Sequence, residues 1–345
     1  MDLNPQSISK STFQDVLTLY PVTVEARARH KATEKILSRK ATSSKGKKPK
    51  AKPPPPPPPE TNDSGLLTTD QQTQIQTEVD EFLSLDRFRY EDLPGLVAAR
   101  AKDPCGGGYL EKDELVKLVE WKMKHGIFRP ALLGLIRSNP EPLVRKVTGE
   151  AFAALHGTTQ LDEGEEVFPA QAVDMLVKPL RGVGVATASL ILSLATTEGG
   201  SGGVPFYSDD VYLWVCLGEY SPGLGGEAEA RVQRGLYKRV NGELNVKYDV
   251  KEYRGLWQGV KGLQRLLGEA SCLEVEKVAL VVRYRGLEGV SGGGGDGGGG
   301  DGNDKQVSLE EGKGETKRGE KRALEQPGED GSGSRRRRSK RLGRG

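Results

Sequence analysis

An all-α fold is what this chain predicts, a helical globule flanked by basic N- and C-terminal arms, and three observations predict it. Between residues 66 and 286 nearly every segment carries apolar residues at helical spacing. None of these segments shows the strict apolar–polar alternation of a half-buried strand. Glycine or a loop follows each stretch, as expected where helices stop. The first helix is expected over 70–85. The next spans 111–125, with Leu115, Leu118 and Val119 as its apolar stripe and Gly126 as its stop. Pro130 suits the first position of a helix over 130–138, and 140–156 gives another. Two strongly apolar helices then meet at a glycine corner, and amphipathic stretches over 227–240, 248–267 and 273–284 complete the set. In 248–267, Leu256, Trp257, Val260, Leu263 and either Leu266 or Leu267 form the expected buried face.

Composition sets the domain boundaries. The chain has 345 residues and a formal net charge of only +3, so its charge argument rests on clustering at the ends. Residues 1–65 are expected to be a basic, Pro-rich and mostly disordered arm. There Arg27, Arg29, Lys31, Lys35, Arg39 and Lys40 face only Glu25 and Glu34, and a polyproline run over 53–59 favours a stiff spacer. Within that arm, 12–24 can form a short helix; a secretory signal core is missing, and a mitochondrial presequence remains an alternative. Residues 66–286 hold the folded domain. Residues 287–345 form a Gly-rich, charged tail that is expected to be disordered. It contains Lys317, Arg318, Lys321 and Arg322, then Arg335, Arg336, Arg337, Arg338, Lys340 and Arg341. That arrangement resembles a bipartite nuclear-import signal, which implies a nuclear location and an import receptor as partner, and it attracts nucleic acid through counterion release. Cys105, Cys216 and Cys272 give neither a zinc pattern, an iron–sulfur ligand set nor a disulfide framework, and three scattered His suggest no metal cluster. No apolar run is long enough to span a bilayer, so a membrane partner is not expected.

The corner itself carries chemistry. It reads Leu180-Arg181-Gly182-Val183-Gly184-Val185-Ala186, with an apolar helix on either side. Gly182 and Gly184 permit a tight reversal, and the next helix then begins with backbone amides that have no intrahelical partner. Those amides and the positive end of the helix dipole suit a phosphate, so DNA is the natural ligand; a plain turn between two core helices is the competing reading. Upstream, Lys122, Lys124 and Arg129 are candidate phosphate contacts, although charges on a helix also serve simply as a solvated face. His125 reads as a helix-terminal residue favoured by the dipole.

Downstream of the corner lies Val204-Pro205-Phe206-Tyr207-Ser208-Asp209-Asp210-Val211-Tyr212-Leu213-Trp214-Val215. Hairpin, apolar helix, loop, Val-Pro and an Asp opening a helix together resemble the helix-hairpin-helix DNA glycosylases, the endonuclease III and 8-oxoguanine glycosylase superfamily. The resemblance spans about residues 173–215. It implies that the hairpin grips the phosphate backbone through main-chain amides, with a monovalent cation possible on its carbonyls and no other cofactor. It also implies that Asp209 lies at the mouth of a base pocket. Two departures stand out. Bifunctional members carry a Schiff-base Lys where this chain has Ala186, which leaves monofunctional hydrolysis. The loop 197–203 lengthens the spacing to the Asp, so Asp210 competes for the role and either residue can instead be the helix N-cap. A second segment, 109–130, is similar to a block in uncharacterised eukaryotic proteins, fungal and animal, that also carry the hairpin.

The sequence therefore leads to a nuclear DNA-binding protein whose Asp209 stabilises oxocarbenium charge as a base leaves. Two alternatives stay open: a catalytically inactive scaffold or chromatin and repair interaction module, and RNA binding through the arms alone. No wedge residue for the displaced base can be assigned; Tyr212 and Trp214 are spaced for packing.

Overall fold

The computed structural model describes residues 1–43, 67–102, 107–158, 167–195, 203–219, 235–238, 243–268 and 270–287. Among these the fold is all-α, with a single isolated antiparallel bridge, Tyr237 to Leu244, outside the helices. The nuclear-import-like residues, the polyproline run, the loop 197–202 and Cys105 lie outside the described residues. No helix among the described residues is long and apolar enough to cross a membrane.

The largest correction concerns the N-terminus. Residues 1–43, expected as most of a disordered arm, instead form α1 (Lys10–Thr18) and α2 (Tyr20–Ser43), and both are built into the core. Ser9 caps α1 by accepting from the Thr12 amide at 3.1 Å, and Phe13 and Val16 are buried beneath it. Along α2, Tyr20, Val24, Ala28, Ala32 and Ile36 repeat at four-residue intervals and are all buried. They pack against α3 (Thr69–Arg87), whose Ile75, Val79 and Phe82 are buried in return. The basic residues that suggested a solvated arm have specific partners: Arg29 pairs with Glu25, and Lys35 with Glu78 on α3. Arg27 donates to the His125 carbonyl, and Lys31 donates to the carbonyls of Lys124 at 2.7 Å and Gly126 at 2.8 Å. These are the orphan carbonyls of α5 (Lys112–His125), so charge read as nucleic-acid-seeking caps a helix terminus.

Most of the remaining helices follow the sequence pattern, but the helix over Leu93–Ala101 and the π-helical turn that leads into it were not expected. A Thr68–Gln71 capping box opens α3, and a π-helical turn over Phe88–Asp92 leads into α4 (Leu93–Ala101). A Glu111–Glu114 box opens α5, Pro130 opens α6 (Pro130–Arg137), and α7 is Glu141–Thr158. Then come α8 (Ala170–Val177) and α9 (Val185–Leu192), and a short α10 (Asp209–Val211) that continues as a π-helical turn over Tyr212–Cys216. Asp249 caps α11 (Val250–Leu267), and a Ser271–Glu274 box opens α12 (Cys272–Tyr284). In α11, Leu267 is buried and Leu266 is half exposed, which resolves that pair. The expected helix over 227–240 lies mostly outside the described residues. Where it is described, at 235–238, Gly235 has φ +74° and Tyr237 bridges to Leu244, so that stretch is a turn and not a helix.

Two helices are buried over long stretches and occupy the centre. All residues from Ala186 to Leu192 of α9 are buried, as are Val278 through Val282 of α12. Burying α9 along its length leaves its N-terminus as the part that reaches the surface. Because α2 covers α3, deleting residues 1–43 is expected to lower the melting temperature by at least about 10 °C, read by circular dichroism. An unchanged melt would return these residues to the status of an arm.

Candidate functional site

A cleft of about 990 Å³ opens where α5, the α8–α9 corner, α10, Tyr248 and the end of α12 converge. Its size is that of a ligand site. One wall is the corner over residues 178–184. Gly182 has φ +80°, and a Cβ there would sit 3.0 Å from the Leu135 Cβ, so both backbone geometry and the approach of α6 demand glycine. Gly184 has an ordinary φ of −101°, and a Cβ there would meet nothing within 4 Å. The corner is clamped from behind by buried Asn139. Its Oδ1 accepts from the Arg181 amide at 2.9 Å, and its Nδ2 donates to the carbonyls of Arg181 and Ile136 at 3.0 Å each.

Gly184 is the N-cap of α9 and brings no side chain to cap it. Among the described residues nothing accepts from the amides of Gly184, Val185 or Ala186; the first α9 amide with a partner is Thr187, bonded to the Gly184 carbonyl at 2.9 Å. Gly184 and Arg181 are exposed, Gly182 and Val185 are half-buried, and Leu180, Val183 and Ala186 are buried. Three aligned donors at the positive end of a buried helix therefore face the cleft.

The opposite wall is built by α10. Ser208 is its N-cap, accepting from the Val211 amide at 3.1 Å, so neither Asp209 nor Asp210 is needed for capping. The two carboxylates have separate fates. Asp210 is buried and bridges two helices, accepting from Arg283 Nη1 of α12 at 2.6 Å and lying 3.0 Å from His125 Nε2 of α5. Burial works to raise its carboxyl; the Arg283 charge, then His125 and Arg27, overcome this and hold it well below the usual carboxylate range. Asp209 is only partly buried and lines the cleft. Its Oδ1 accepts from the Tyr248 hydroxyl at 2.7 Å, while Oδ2 has no partner among the described residues. Burial and the Asp209 charge push the Tyr248 phenol upward, which keeps it a donor. Tyr248 itself stands at φ +56°, a conformation that costs a non-glycine residue about 1–3 kcal/mol, and it is held there in the site.

The candidate phosphate contacts separate as well. Arg129 is exposed at the cleft rim, 5.7 Å from the centroid of the Tyr248 ring. Lys124 turns away and pairs with Glu81 at 3.1 Å and Glu120 at 3.8 Å. Lys122 enters the cleft and donates to Thr187 Oγ1 at 2.7 Å, in the first turn of α9. Removal from water brings its amine down to about 7; Asp209 works against that shift and Arg129 adds to it. Burial and the Arg27 charge bring Lys31, also in the cleft wall, down to about 7. Aromatic rings back the site: Tyr207 packs against Tyr248 at 5.4 Å and stacks on Tyr253 at 5.9 Å. Trp214 is buried, and its indole donates to the Leu3 carbonyl. No group of three or more His, Cys, Asp or Glu among the described residues could hold a metal ion.

Comparison with protein-family models, curated proteins and solved structures finds no match for this chain. The site thus rests on its own geometry. Sequence reasoning missed Asn139, Thr187 and Tyr248; it placed His125 at a helix end, where it stands as the last residue of α5, but gave no sign that it stacks on Trp121 at 4.7 Å and joins Asp210. Only the Ser-Asp-Asp order of 208–210, with Ser available as a cap, carried a signal that could have freed Asp209.

Gly182→Ala is expected to destabilise the fold by about 1–2 kcal/mol in thermal melts, and Gly184→Ala to change it by less than about 0.5 kcal/mol. Acid and base act in opposite directions. Asp210 has a depressed folded pKa, so its stabilisation is present above the unfolded value, about 3.9, and is lost as pH falls through and below it. Asp210→Asn should cost about 3–5 kcal/mol at pH 7 by removing the buried carboxylate charge that Arg283 faces, and should flatten the loss of melting temperature below about pH 4. Lys122 has a lowered folded pKa, so the unfolded chain binds the extra proton and stability rises from about pH 7 towards pH 10. Lys122→Met should raise the melting temperature at pH 6 and weaken that alkaline rise.

Proposed function

We propose that this protein binds duplex DNA through the α8–α9 corner, acting as a helix-hairpin-helix, and that Asp209 serves a monofunctional N-glycosylase reaction. The observation that carries this reading is that the unpaired amides of Gly184, Val185 and Ala186 and the unpartnered Oδ2 of Asp209 open into the same cleft. Amides at the end of a buried helix hold a phosphate, and Arg129 and Lys247 add cationic character at the walls. A base drawn out of the stack would enter among Phe206, Tyr207 and Tyr248, which line the cleft. As the N-glycosidic bond breaks, its electrons leave with the base and positive charge develops on the sugar. The Asp209 carboxylate, held by Tyr248, stabilises that charge and orients the water that adds to C1′. Asp210 has no such role here, since both its oxygens are taken by His125 and Arg283. A nuclear location and an import receptor belong to this proposal through the basic tail alone.

A panel of duplexes carrying modified bases, scored for abasic sites, tests the reading. Asp209→Asn should reduce base release about 10²–10⁴-fold while leaving duplex affinity nearly intact. Gly184→Glu should weaken affinity about tenfold or more, because it adds bulk and negative charge at the phosphate seat without straining the backbone. Binding by the intact protein with no release from any duplex assigns the cleft to the non-enzymatic scaffold instead.

A further inference from the structure

The end of the cleft that α2 builds is more cationic than its own carboxylates neutralise. Arg27, His30, Lys31 and Arg283 line it, with Glu34 and Asp210 as its acids. Asp210 is taken by Arg283 and His125, and Glu34 lies 3.6 Å from His30 Nδ1. Arg27 is left over. It is buried, and its guanidinium donates to the His125 carbonyl, lies 3.5 Å from His125 Nδ1 and covers the face of Tyr284 at 4.2 Å from the ring centroid. Among the described residues none of these partners is a carboxylate, and the Arg27 Nε has no partner at all. Arg283 stands over the same Tyr284 ring at 5.2 Å, and Lys31 donates only to backbone carbonyls. Burial and then the Arg27 charge bring the Lys31 amine down to about 7; Arg283 adds to that shift, while Asp210 and Glu34 oppose it. A buried guanidinium set among further cations is costly as it stands, and an incoming anion relieves it.

We infer that this α2 end of the cleft is a second phosphate seat, built on Arg27 and Lys31, and that it takes the phosphate monoester of a nucleotide. Placing that nucleotide at the end of a DNA strand rests on the reading given under Proposed function; the seat itself does not. Charge selects the monoester. A diester within a strand carries one negative charge, whereas a monoester carries about −1.5 to −2 at pH 7. Arg27 and Lys31 together offer close to two positive charges once a bound anion holds a proton on the lysine, so a monoester balances them and a diester balances half. The guanidinium is also the side chain best suited to phosphate oxygens. A nucleoside is accommodated by the same space, since the rings of Phe206, Tyr207 and Tyr248 line the cleft. A terminal nucleotide fits both seats, with its diester on the α9 amides and its monoester at Arg27. Lys122 reaches the first turn of α9 and the Gly126 carbonyl meets Lys31, so α5 joins the two seats through about one turn, roughly 6 Å of rise. A strand end also has fewer stacking contacts to break when its base is drawn out.

Binding by the full chain tests this with two pairs of probes. One is a short duplex with phosphate at its 5′ or 3′ ends against the same duplex with hydroxyl ends, read by fluorescence anisotropy. The other is deoxyadenosine 5′-monophosphate against deoxyadenosine, read by calorimetry. A terminal phosphate is expected to tighten duplex binding about tenfold or more, and the nucleotide is expected to bind where the nucleoside does not. Arg27→Met should remove both preferences. Because it also removes a donor to the end of α5, its thermal melt is recorded, and His30→Glu provides the second variant. His30 is half-buried at the rim, so a carboxylate there repels the dianion while the α5 terminus keeps its donors. Nucleotide binding that both variants weaken, with no duplex bound, keeps the seat for free nucleotides and removes the DNA reading. Duplex binding indifferent to terminal phosphate with no binding of the nucleotide, or preferences that His30→Glu leaves unchanged, overturns the seat and leaves the DNA reading in place.

Discussion

The α10 wall of the cleft depends on the buried carboxylate of Asp210. It is satisfied only when α5 brings His125 and α12 brings Arg283 to it, so three elements distant in the chain must be assembled before its charge can be buried. That bridge fixes the rotation of the short α10, and the residue beside it, Asp209, is thereby turned towards the cleft. The bridge is itself supported. His125 stacks on Trp121, whose indole donates to Asp86, and Asp86 also accepts from the Tyr20 hydroxyl of α2 at 2.8 Å. A chain of buried contacts, hydrogen bonds joined by one ring stack, therefore runs from α2 to the site. Such a network rewards one arrangement and penalises partial ones, since any member left alone is an unpaired polar group in a low-dielectric interior.

The facing wall works by subtraction. Glycine at 184 withholds the side chain that would normally cap a helix, and α9 is so completely buried that its dipole emerges at this one end. Asn139 holds the corner through both its amide oxygen and its amide nitrogen, replacing by side chain what a longer turn would obtain from backbone. Unpaired amide donors on one side and an oriented carboxylate on the other form an asymmetric site. That asymmetry suits a ligand with a phosphate at one end and a reacting carbon at the other.

Much of this was legible in the sequence. The helices of the core could be placed because apolar periodicity and stop signals agree, as in the Leu115, Leu118 and Val119 stripe of α5 and its stop at Gly126. The glycine corner was visible, and so was the Asp pair. What stayed hidden was decided by partners far away in the chain. Arg27 and Lys31 look like the charges of a solvated arm until α5 presents its C-terminal carbonyls to them. Asp209 and Asp210 are equivalent by position, and only Arg283 and His125 distinguish them. Tyr248 was counted as the start of a helix, whereas its left-handed backbone directs its hydroxyl to Asp209. Lys122 sits on the polar side of an amphipathic pattern, and nothing local reveals that α9 and Phe206 enclose its amine.

The most direct measurement follows individual backbone amides in the correlation spectrum of the nitrogen-labelled protein as a short duplex is added. Concerted shifts at Gly184, Val185 and Ala186, joined by the neighbouring cleft residues Thr187 and Asp209, are the expected result. Saturable binding that leaves those three amides unmoved contradicts the claim that this corner holds the phosphate backbone.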